Sequence, residues 1–247
     1  MRFFSSLWAA LVDGVADMNA NRSRSGLQFI GIVLGVGSVV ATLGLIDGGR
    51  QQTTKFFETT GGILKMRIDN KNVEAAERTA TERNSKGLTY RDAEILKRDG
   101  KNLSLVEPTI ERQELVRRSG FEKRLSLSGA TPAYEPMYSF HVAEGRFITQ
   151  QDLSESSKVV VLGSTRRDQL FGGENPIGKT VEMAGATFTV VGVMEKKEFY
   201  WNEADGNSLE WMNEMIFVPI TTMMNRLSGE RENQKVAYIN VQVASLD

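Results

Sequence analysis

The chain has 247 residues, with 30 Lys and Arg against 31 Asp and Glu, no Cys and one His. This length is enough for one large domain or two small ones with a buried core. The net charge of −1 argues against nucleic acid as a partner, because phosphate binding needs a basic face. Without Cys, and with His141 alone, the chain cannot form a thiolate nucleophile, a Cys-ligated zinc site or a two-His metal motif.

The first residues of the chain have helical periodicity. Within residues 2–18, apolar side chains recur at helical spacing and polar ones lie elsewhere around the wheel. This pattern is typical of an amphipathic helix in the membrane interface, or of a helix packed against others in the same assembly, and both interpretations remain open. We assign residues 1–24 to a cytoplasmic amphipathic segment.

A long uncharged segment follows. Residues 26–46 contain no charged side chain, and a helix of this length measures about 31 Å, the thickness of a bilayer's hydrocarbon core. A cleaved signal peptide fits less well, since its apolar region is shorter. We therefore predict a transmembrane helix at residues 25–46. Arg22 and Arg24 at its start favour a cytoplasmic N-terminus.

Two glycines within this segment have a spacing known from membrane helix pairs. Gly31 and Gly35 form a GxxxG motif, which allows two helices to approach closely. The motif predicts a helix–helix contact through this face.

The remaining residues, 47–247, show strand and helix signals in mixed order. Strands outnumber helices and are expected to pair mostly with near neighbours in sequence, which predicts an α+β domain. Thr89 and Asp92 form a capping box that opens a helix to about residue 97. Ser164 is expected to cap a second helix. Further signals predict strands at 103–107, 111–118 and 122–127, a strand ending at Gly163, a hairpin turning at Ala184 and Gly185, and a strand, a helix and a strand after residue 214.

One stretch matches the phosphate-loop pattern GxxxxGK[ST]. It is GENPIGKT, in which Gly173, Gly178, Lys179 and Thr180 occupy the motif positions. Phosphate binding needs a strand before the loop and a helix after it. Here the predicted order is the reverse, so we interpret the match as false and predict no cofactor site.

The titratable residues that attract notice do not form a catalytic pattern. His141 lies between Phe140 and Val142, which favours a packing or capping role. Glu144 and Asp152 lack the paired spacing that acid–base catalysis requires. We therefore expect the chain not to be an enzyme.

An aromatic and acidic stretch, residues 196–214, has the most unusual composition in the chain. Aromatic side chains beside polar ones are typical of contact surfaces. We predict that this stretch contacts an extracytoplasmic partner or a second copy. The alternative is that its aromatics cover the domain's own core. The residues concerned are Phe199, Tyr200, Trp201 and Trp211.

Several of these segments together resemble the MacB/FtsX-type ABC transporter permeases, that is, the first membrane helix and the following periplasmic core domain. The resemblance is carried by RSRSGLQFIGIVLGVGSVVATLGLIDGGRQQ, GATPAYEPMYSFHVAEGRFITQQD, VVVLGSTRRDQLFGGENPIGKTVEMAGATFTVVGVMEKK and MIFVPITTMMNRL. They cover most of residues 22–227. In that family GENPIGKT is a loop leading into a hairpin.

The resemblance implies a split extracytoplasmic domain, with a porter-like part and an inserted sabre-like part at about 108–214. It also implies a mechanism in which a separate cytoplasmic ABC ATPase binds ATP and moves the membrane helices, and periplasmic domains transmit the motion. Expected partners are that ATPase, a further permease chain or second copy, a periplasmic adaptor or substrate protein, and the lipid bilayer. Family substrates range over antibiotics, peptides, toxins and lipoproteins.

The resemblance is not complete. Family members have three further membrane helices, whereas these residues contain one. We therefore expect a truncated permease or one part of a split permease, located in the cell inner membrane as a single-pass protein with its bulk in the periplasm. The alternative is a membrane-anchored extracytoplasmic interaction scaffold without a transport role.

Overall fold

The computed structural model describes residues 22–70, 87–202, 204–227 and 234–244. The predicted interfacial helix within residues 2–18 lies outside the described residues. The chain divides into two compact units, residues 1–54 and 55–247. We describe each unit by itself.

A single helix, α1 (Arg22–Thr59), makes up the described part of the first unit and ends in the second. It is long and apolar enough to cross a membrane, and none of its most apolar window is buried. The hydroxyls of Ser38 and Thr42 donate to backbone carbonyls one turn earlier, at 2.9 and 2.8 Å. These bonds satisfy polar groups that a bilayer core would leave without a partner.

The helix continues beyond its apolar stretch. Residues 47–59 extend the helix by about 20 Å, so the predicted transmembrane helix at 25–46 is part of a longer helix. Gly61 and Gly62 end it with φ angles of +94° and +85°. The Gly62 amide donates to the Phe57 carbonyl at 2.7 Å, a bond of the kind that closes helices with left-handed residues.

The second unit is built on a mixed β-sheet. Its strands are β1 (Lys65–Asp69), β2 (Leu103–Arg118), β3 (Phe121–Ala130), β4 (Val142–Gly145), β5 (Val159–Leu162), β6 (Thr180–Met183), β7 (Ala186–Met194), β8 (Ile216–Pro219) and β9 (Tyr238–Val243). The helices are α2 (Tyr90–Asp99), α3 (Tyr134–Tyr138), α4 (Gln150–Glu155), α5 (Ser164–Phe171), α6 (Glu210–Asn213) and α7 (Ile220–Thr222), the last continuing as a π-helix, Met223–Leu227. This arrangement is the predicted mixture of helices and strands.

The sheet order is β1-β9-β2-β3-β8-β5-β7-β4, and β6 pairs with both β2 and β7. The hairpins β2–β3 and β6–β7 join neighbours in sequence, as expected. Most other pairs join distant segments, and β3–β8 and β5–β7 are parallel. The sequence pattern had suggested pairing mostly between near neighbours, and this expectation was wrong because periodicity carries no information on which strands meet.

The long strand β2 changes partners along its length, besides its short pairing with β6. Residues 103–109 pair with β9, and residues 110–118 pair with β3. Pro108 lies just before this change of partner, where one side of the strand is unpaired, and a missing N–H is tolerated there. The two strands predicted at 103–107 and 111–118 are therefore one.

Several local features differ from the sequence prediction. Gly163 occupies the N-cap of α5 without a side-chain bond, and the Ser164 hydroxyl has no partner within the described residues. The short elements α3, β4, α4 and α6 were not predicted. The capping box of Thr89 and Asp92 is confirmed.

The expected insert at about 108–214 ends immediately before β8. That strand pairs with β3 and β5, so it shares a sheet with the strands of the expected insert. The core lies on this sheet. Its largest fully buried side chains include Phe140, Phe188, Phe217, Leu127 and Met137.

Candidate functional site

The last turn of α1 carries a ring cluster that lies wholly in the second unit. Phe56 packs edge-to-face on Phe199, with ring centroids 5.1 Å apart, and tilts against Trp201 at 5.2 Å. Phe199 and Trp201 are 5.0 Å apart, and Phe57 contacts Phe56 at 5.9 Å. Aromatic pairs of this geometry add about 0.5–1.5 kcal/mol each beyond the area they bury. The cluster fastens the end of α1 to the stretch 196–214.

Backbone contact fastens the same helix end to α3. A Cβ atom on Gly61 would lie 2.1 Å from the Met137 carbonyl oxygen and 2.8 Å from Tyr138 Cα. Only glycine permits this approach. The residues that fasten the helix end, which we call the helix-end junction, are Phe56, Thr60, Gly61, Lys65, Tyr138, Phe199 and Trp201.

Lys65 completes this junction. Its ammonium donates to the Thr60 carbonyl and lies 4.3 Å from the centre of the Tyr138 ring. A cation at a helix C-terminus is favoured by the helix dipole, and an aromatic face adds a cation–π contribution. Burial lowers the pKa of Lys65 to about 8.

A line of contacts continues from Tyr138 into the core. The Tyr138 and Tyr134 rings stack at 4.4 Å, and Tyr134 packs against Phe217 at 4.6 Å. The Tyr134 hydroxyl donates to Met215 Sδ at 3.1 Å. Burial is the main cause of the raised pKa of Tyr134, so the phenol stays neutral.

The stretch 196–214 is held by two amide side chains that the sequence analysis did not single out. Asn213 is fully buried and bonds both backbone groups of Lys197 at 2.8 Å. Asn207 accepts from the amides of Phe199 and Leu209 at 2.9 and 3.1 Å and donates to the Lys197 carbonyl at 2.8 Å. Because these bonds replace a strand partner, an irregular segment keeps a fixed shape.

The four predicted contact residues occupy different environments. Phe199 is 6% exposed and belongs to the ring cluster. Tyr200, Trp201 and Trp211 are 48%, 42% and 50% exposed. Three aromatics of this stretch are therefore accessible at the surface, and Phe199 supports Trp201 from below.

The two glycines of the predicted helix–helix contact, Gly31 and Gly35, lie in the first unit. A Cβ atom added to either residue would meet no other atom within 4 Å. Among the residues that the structure describes, nothing therefore covers the face of α1 that carries the GxxxG motif.

The GENPIGKT loop has the order expected for a false match, since α5 precedes it and β6 follows. The amides of Gly178 and Lys179 donate to Val190 and Pro176 carbonyls at 2.8 and 3.0 Å. Lys179 Nζ lies 2.6 Å from the Glu174 carboxylate. The groups that would cradle a phosphate bind within the protein instead. Thr180 opens β6 and Gly173 is an open turn position.

The other titratable residues have structural surroundings. His141 Nδ1 lies 3.5 Å from Glu135 at the surface, and Glu144 is exposed on β4. Asp152 caps α4 and pairs with Arg146 at 2.6 Å. Burial opposes ionisation of Asp152, but hydrogen bonds from Arg146 and Thr149 outweigh it and lower its pKa. In the described ranges, no three His, Asp or Glu side chains are placed to hold a metal ion.

Glu107 is a fully buried carboxyl that the sequence analysis missed. It accepts from the Thr131 amide at 2.8 Å and is also hydrogen-bonded to the Thr131 hydroxyl. Burial raises its pKa to about 8, although the bonds to Thr131 act in the opposite direction. It links the β9-paired part of β2 to the end of β3, close to a cavity of about 170 Å³ between α2 and α4.

Comparison with known proteins identifies the family. Residues 25–247 match the MacB-like periplasmic core domain. The chain belongs to this family. Its fold is similar to the crystal structure of the periplasmic region of MacB from Actinobacillus actinomycetemcomitans, with a TM-score of 0.60 and 22% identity over 77% of this chain and 79% of that one. It also agrees with the extracellular domain of the noncanonic ABC-type transporter YknZ from Gram-positive bacteria, with a TM-score of 0.58 and 19% identity over 74% and 85% of the two chains.

Whole-chain relatives agree with this assignment to the family. The macrolide export ATP-binding/permease protein MacB of Bdellovibrio bacteriovorus is 29% identical over 89% of this chain and 32% of its own length. The protein of the same name from Azoarcus sp. is 28% identical over 98% of this chain and 35% of its own length. The MacB-like chain thus spans about a third of the length of these relatives.

Proposed function

We propose that this MacB-like chain is a membrane-anchored permease subunit, or part of one, in an ABC-type export or lipoprotein-handling system. In this proposal α1 spans the inner membrane with its N-terminus in the cytoplasm, and residues 47–247 lie in the periplasm. ATP is hydrolysed on a separate cytoplasmic ATPase, and this chain performs no catalysis itself. The match of residues 25–247 to the family supports the proposal.

The helix-end junction supports a role in transmitting motion. Since α1 is continuous up to Thr59, a displacement of its apolar part reaches Phe56 through the helix itself. Phe56 contacts the stretch 196–214 of the extracytoplasmic domain, and Gly61 and Lys65 both contact its helix α3. A packed, hydrogen-bonded attachment deforms little, so motion of the helix end would move the domain. This attachment is the observation that carries the proposal.

The exposed aromatics support an extracytoplasmic partner surface. Tyr200, Trp201 and Trp211 project from a segment whose backbone is fixed by Asn207 and Asn213. Aromatic side chains on a preorganised backbone lose little entropy when a partner binds. A periplasmic adaptor, a substrate protein or a second copy would meet this surface.

Two experiments test the proposal. Protease treatment of intact spheroplasts should degrade residues 47–247 and leave the N-terminus protected, and the opposite pattern would contradict the orientation. Purification of the tagged full chain from membranes in mild detergent should recover an ABC ATPase in stoichiometric amount. A stable membrane protein recovered without any ATPase would favour the scaffold alternative.

A further inference from the structure

A cleft of about 190 Å³ lies beside Trp211. Its walls are Glu111 on β2, Ser128 on β3, Arg166 on α5 and Glu214 after α6, and Met215 and Ile216 form an apolar floor. A water molecule occupies about 30 Å³ of liquid, so the cleft has room for a side chain of about five or six non-hydrogen atoms.

The charges of this cleft leave one carboxylate uncompensated. Arg166 is the cation in the lining, and its guanidinium is already bound to the Glu214 carboxylate at 3.1 Å and to the Glu214 carbonyl at 2.8 Å. Glu111 accepts a bond from the Tyr238 hydroxyl at 2.7 Å, which brings no charge. The summed charge of Glu111, Glu214 and Arg166 is therefore negative, and a negatively charged cleft favours a cationic ligand.

Ser128 supplies an independent sign of a missing ligand. It is 4% exposed, and its hydroxyl has no hydrogen-bond partner within the described residues. A buried polar group without a partner costs about 1–3 kcal/mol. Ser128 lies directly opposite Glu111 in the β2–β3 register, so one N–H group could donate to the hydroxyl while a second donates to the carboxylate.

Trp211 completes the site. Its ring is half exposed and lines the same cleft. A cation over an indole face gains about 0.5–2 kcal/mol. The cleft thus combines apolar side chains, an indole ring, a hydroxyl without a partner among the described residues, and a carboxylate whose bond from Tyr238 brings no charge. Together they fit an ammonium group carried on an aliphatic chain.

We propose that this cleft binds a lysine side chain, flanked by apolar residues, of a partner peptide segment. The ammonium donates to Glu111 and Ser128 and lies against the Trp211 ring, and its methylenes contact Met215 and Ile216. Nothing in this assignment requires ATP hydrolysis. It deepens the proposed partner surface, on which it rests, by naming the chemistry that the surface recognises.

The floor of the cleft is in contact with the line of residues that reaches the helix end. Met215 accepts from Tyr134, Tyr134 stacks on Tyr138, and the Tyr138 ring lies under Lys65. A peptide that contacts Met215 is therefore linked through three contacts to Lys65 of the helix-end junction. A peptide bound in the cleft would therefore act on the helix-end junction through these contacts.

The test uses the full chain in lipid nanodiscs, labelled with 5-fluorotryptophan and observed by fluorine NMR. The Trp211 resonance is assigned with Trp211→Phe. Titration with acetyl-Leu-Lys-Leu-amide should shift this resonance, whereas acetyl-Leu-Glu-Leu-amide should not. Glu111→Gln should lower the affinity for the lysine peptide by about 5- to 10-fold, since it removes a charge-assisted bond. Glu144 is an exposed carboxylate on β4, and Glu144→Gln should leave this affinity unchanged.

Three results would overturn the assignment: no shift of Trp211, equal shifts with the two peptides, or unchanged affinity in Glu111→Gln. Ser128→Ala provides a second variant that should fold, because it removes a buried hydroxyl that has no partner among the described residues. It should stabilise the domain and lower the affinity for the lysine peptide. Peptide binding is measured without nucleotide. A failure to bind the peptide would therefore not affect the separate test of the permease role, which depends on recovery of an ATPase. Recovery of an ATPase without peptide binding would refute the cleft alone.

Discussion

Phe56, in the last turn of α1, packs edge-to-face on Phe199, with 5.1 Å between ring centroids. The two residues are far apart in sequence, one at the end of a long helix and the other in the loop formed by the stretch 196–214. Their contact makes the loop part of the attachment of the helix. A change at either residue should therefore lower stability, and it should also impair the motion transmission that we propose.

Phe56→Ala tests this attachment. Loss of the ring contacts with Phe199 and Trp201 should lower the free energy of unfolding by about 1–3 kcal/mol, measured by chemical denaturation of the full chain in detergent. Phe57→Ala is the matched control, because Phe57 is 40% exposed and contacts only Phe56 among the ring pairs described. Equal losses in the two variants would show that the Phe56 cluster has no special role.

Gly61→Ala tests the close approach of the helix end to α3. Both Gly61 and Gly62 have positive φ, which costs an alanine about 1–2 kcal/mol. Gly61→Ala also places a Cβ against the Met137 carbonyl, whereas Gly62→Ala meets no atom within 4 Å. We expect Gly61→Ala to be the more destabilising by about 1–3 kcal/mol in the same denaturation measurement. Indistinguishable variants would contradict the packing of the helix end on α3.

Glu107 should make the domain less stable as pH rises. Its folded pKa is raised to about 8 from an ordinary value of 4.5, so the folded state retains the proton more tightly. The resulting stabilisation is full below about pH 4.5 and is lost as pH rises to about 8. The Gln side chain of Glu107→Gln can keep both hydrogen bonds to Thr131 but does not titrate. This variant should therefore show a flatter stability–pH profile between about pH 4.5 and 8.

The matched control for this profile is Glu122→Gln, an exposed carboxyl paired with Arg117 on the β2–β3 hairpin. Its profile between pH 5 and 8 should follow that of the unaltered chain. A Glu107→Gln variant with the same slope as the unaltered chain would show that the buried carboxyl is not the cause.

Asn213→Ala should loosen the segment 196–214. The side chain is buried, and its removal leaves the Lys197 amide without its Asn213 partner and the Lys197 carbonyl with Asn207 alone, at a cost of about 1–3 kcal/mol. Hydrogen exchange of this segment should accelerate selectively. Asn202→Ala, which removes an exposed turn bond, should leave exchange at Lys197 unchanged, and acceleration in both variants would contradict the role of Asn213.

Lys179→Ala tests the rejected phosphate loop. Its ion pair with Glu174 is exposed and should contribute less than about 1 kcal/mol. The Lys179→Ala variant should retain its fold and its assembly in the membrane. Equilibrium dialysis should detect no ATP binding to the extracytoplasmic domain of the variant or of the unaltered chain. ATP binding that depends on Lys179 would reverse our interpretation.

Features that depend on neighbouring residues were predictable from the sequence. The apolar run, the capping box at Thr89, the turn at Ala184 and Gly185, and the helix–loop–strand order around Lys179 all depend on local spacing. The same reasoning applied to Thr149 and Asp152 would have found the capping box of α4, which was overlooked. Residues 134–138 and 210–213 form helices too short for periodicity to reveal.

Features that depend on distant contacts were not predictable. Glu107 reads as a strand residue in sequence, and only the fold brings Thr131 to it. Asn207 and Asn213 resemble ordinary loop residues until their bonds to Lys197 are seen. The helix-end junction likewise joins residues 56, 65, 138 and 199, and no spacing rule relates them.

The most direct test of the central claim is the ATPase activity of the complex purified through the tagged full chain. We predict vanadate-sensitive ATP hydrolysis by a co-purifying ABC ATPase. In the Phe56→Ala variant the complex should still assemble, but its rate of ATP hydrolysis should no longer respond to the extracytoplasmic partner. Phe57→Ala should respond as the unaltered chain does. A complex without ATPase activity, or one whose response survives Phe56→Ala, would contradict the proposal that the helix end transmits ATPase-driven motion to the periplasm.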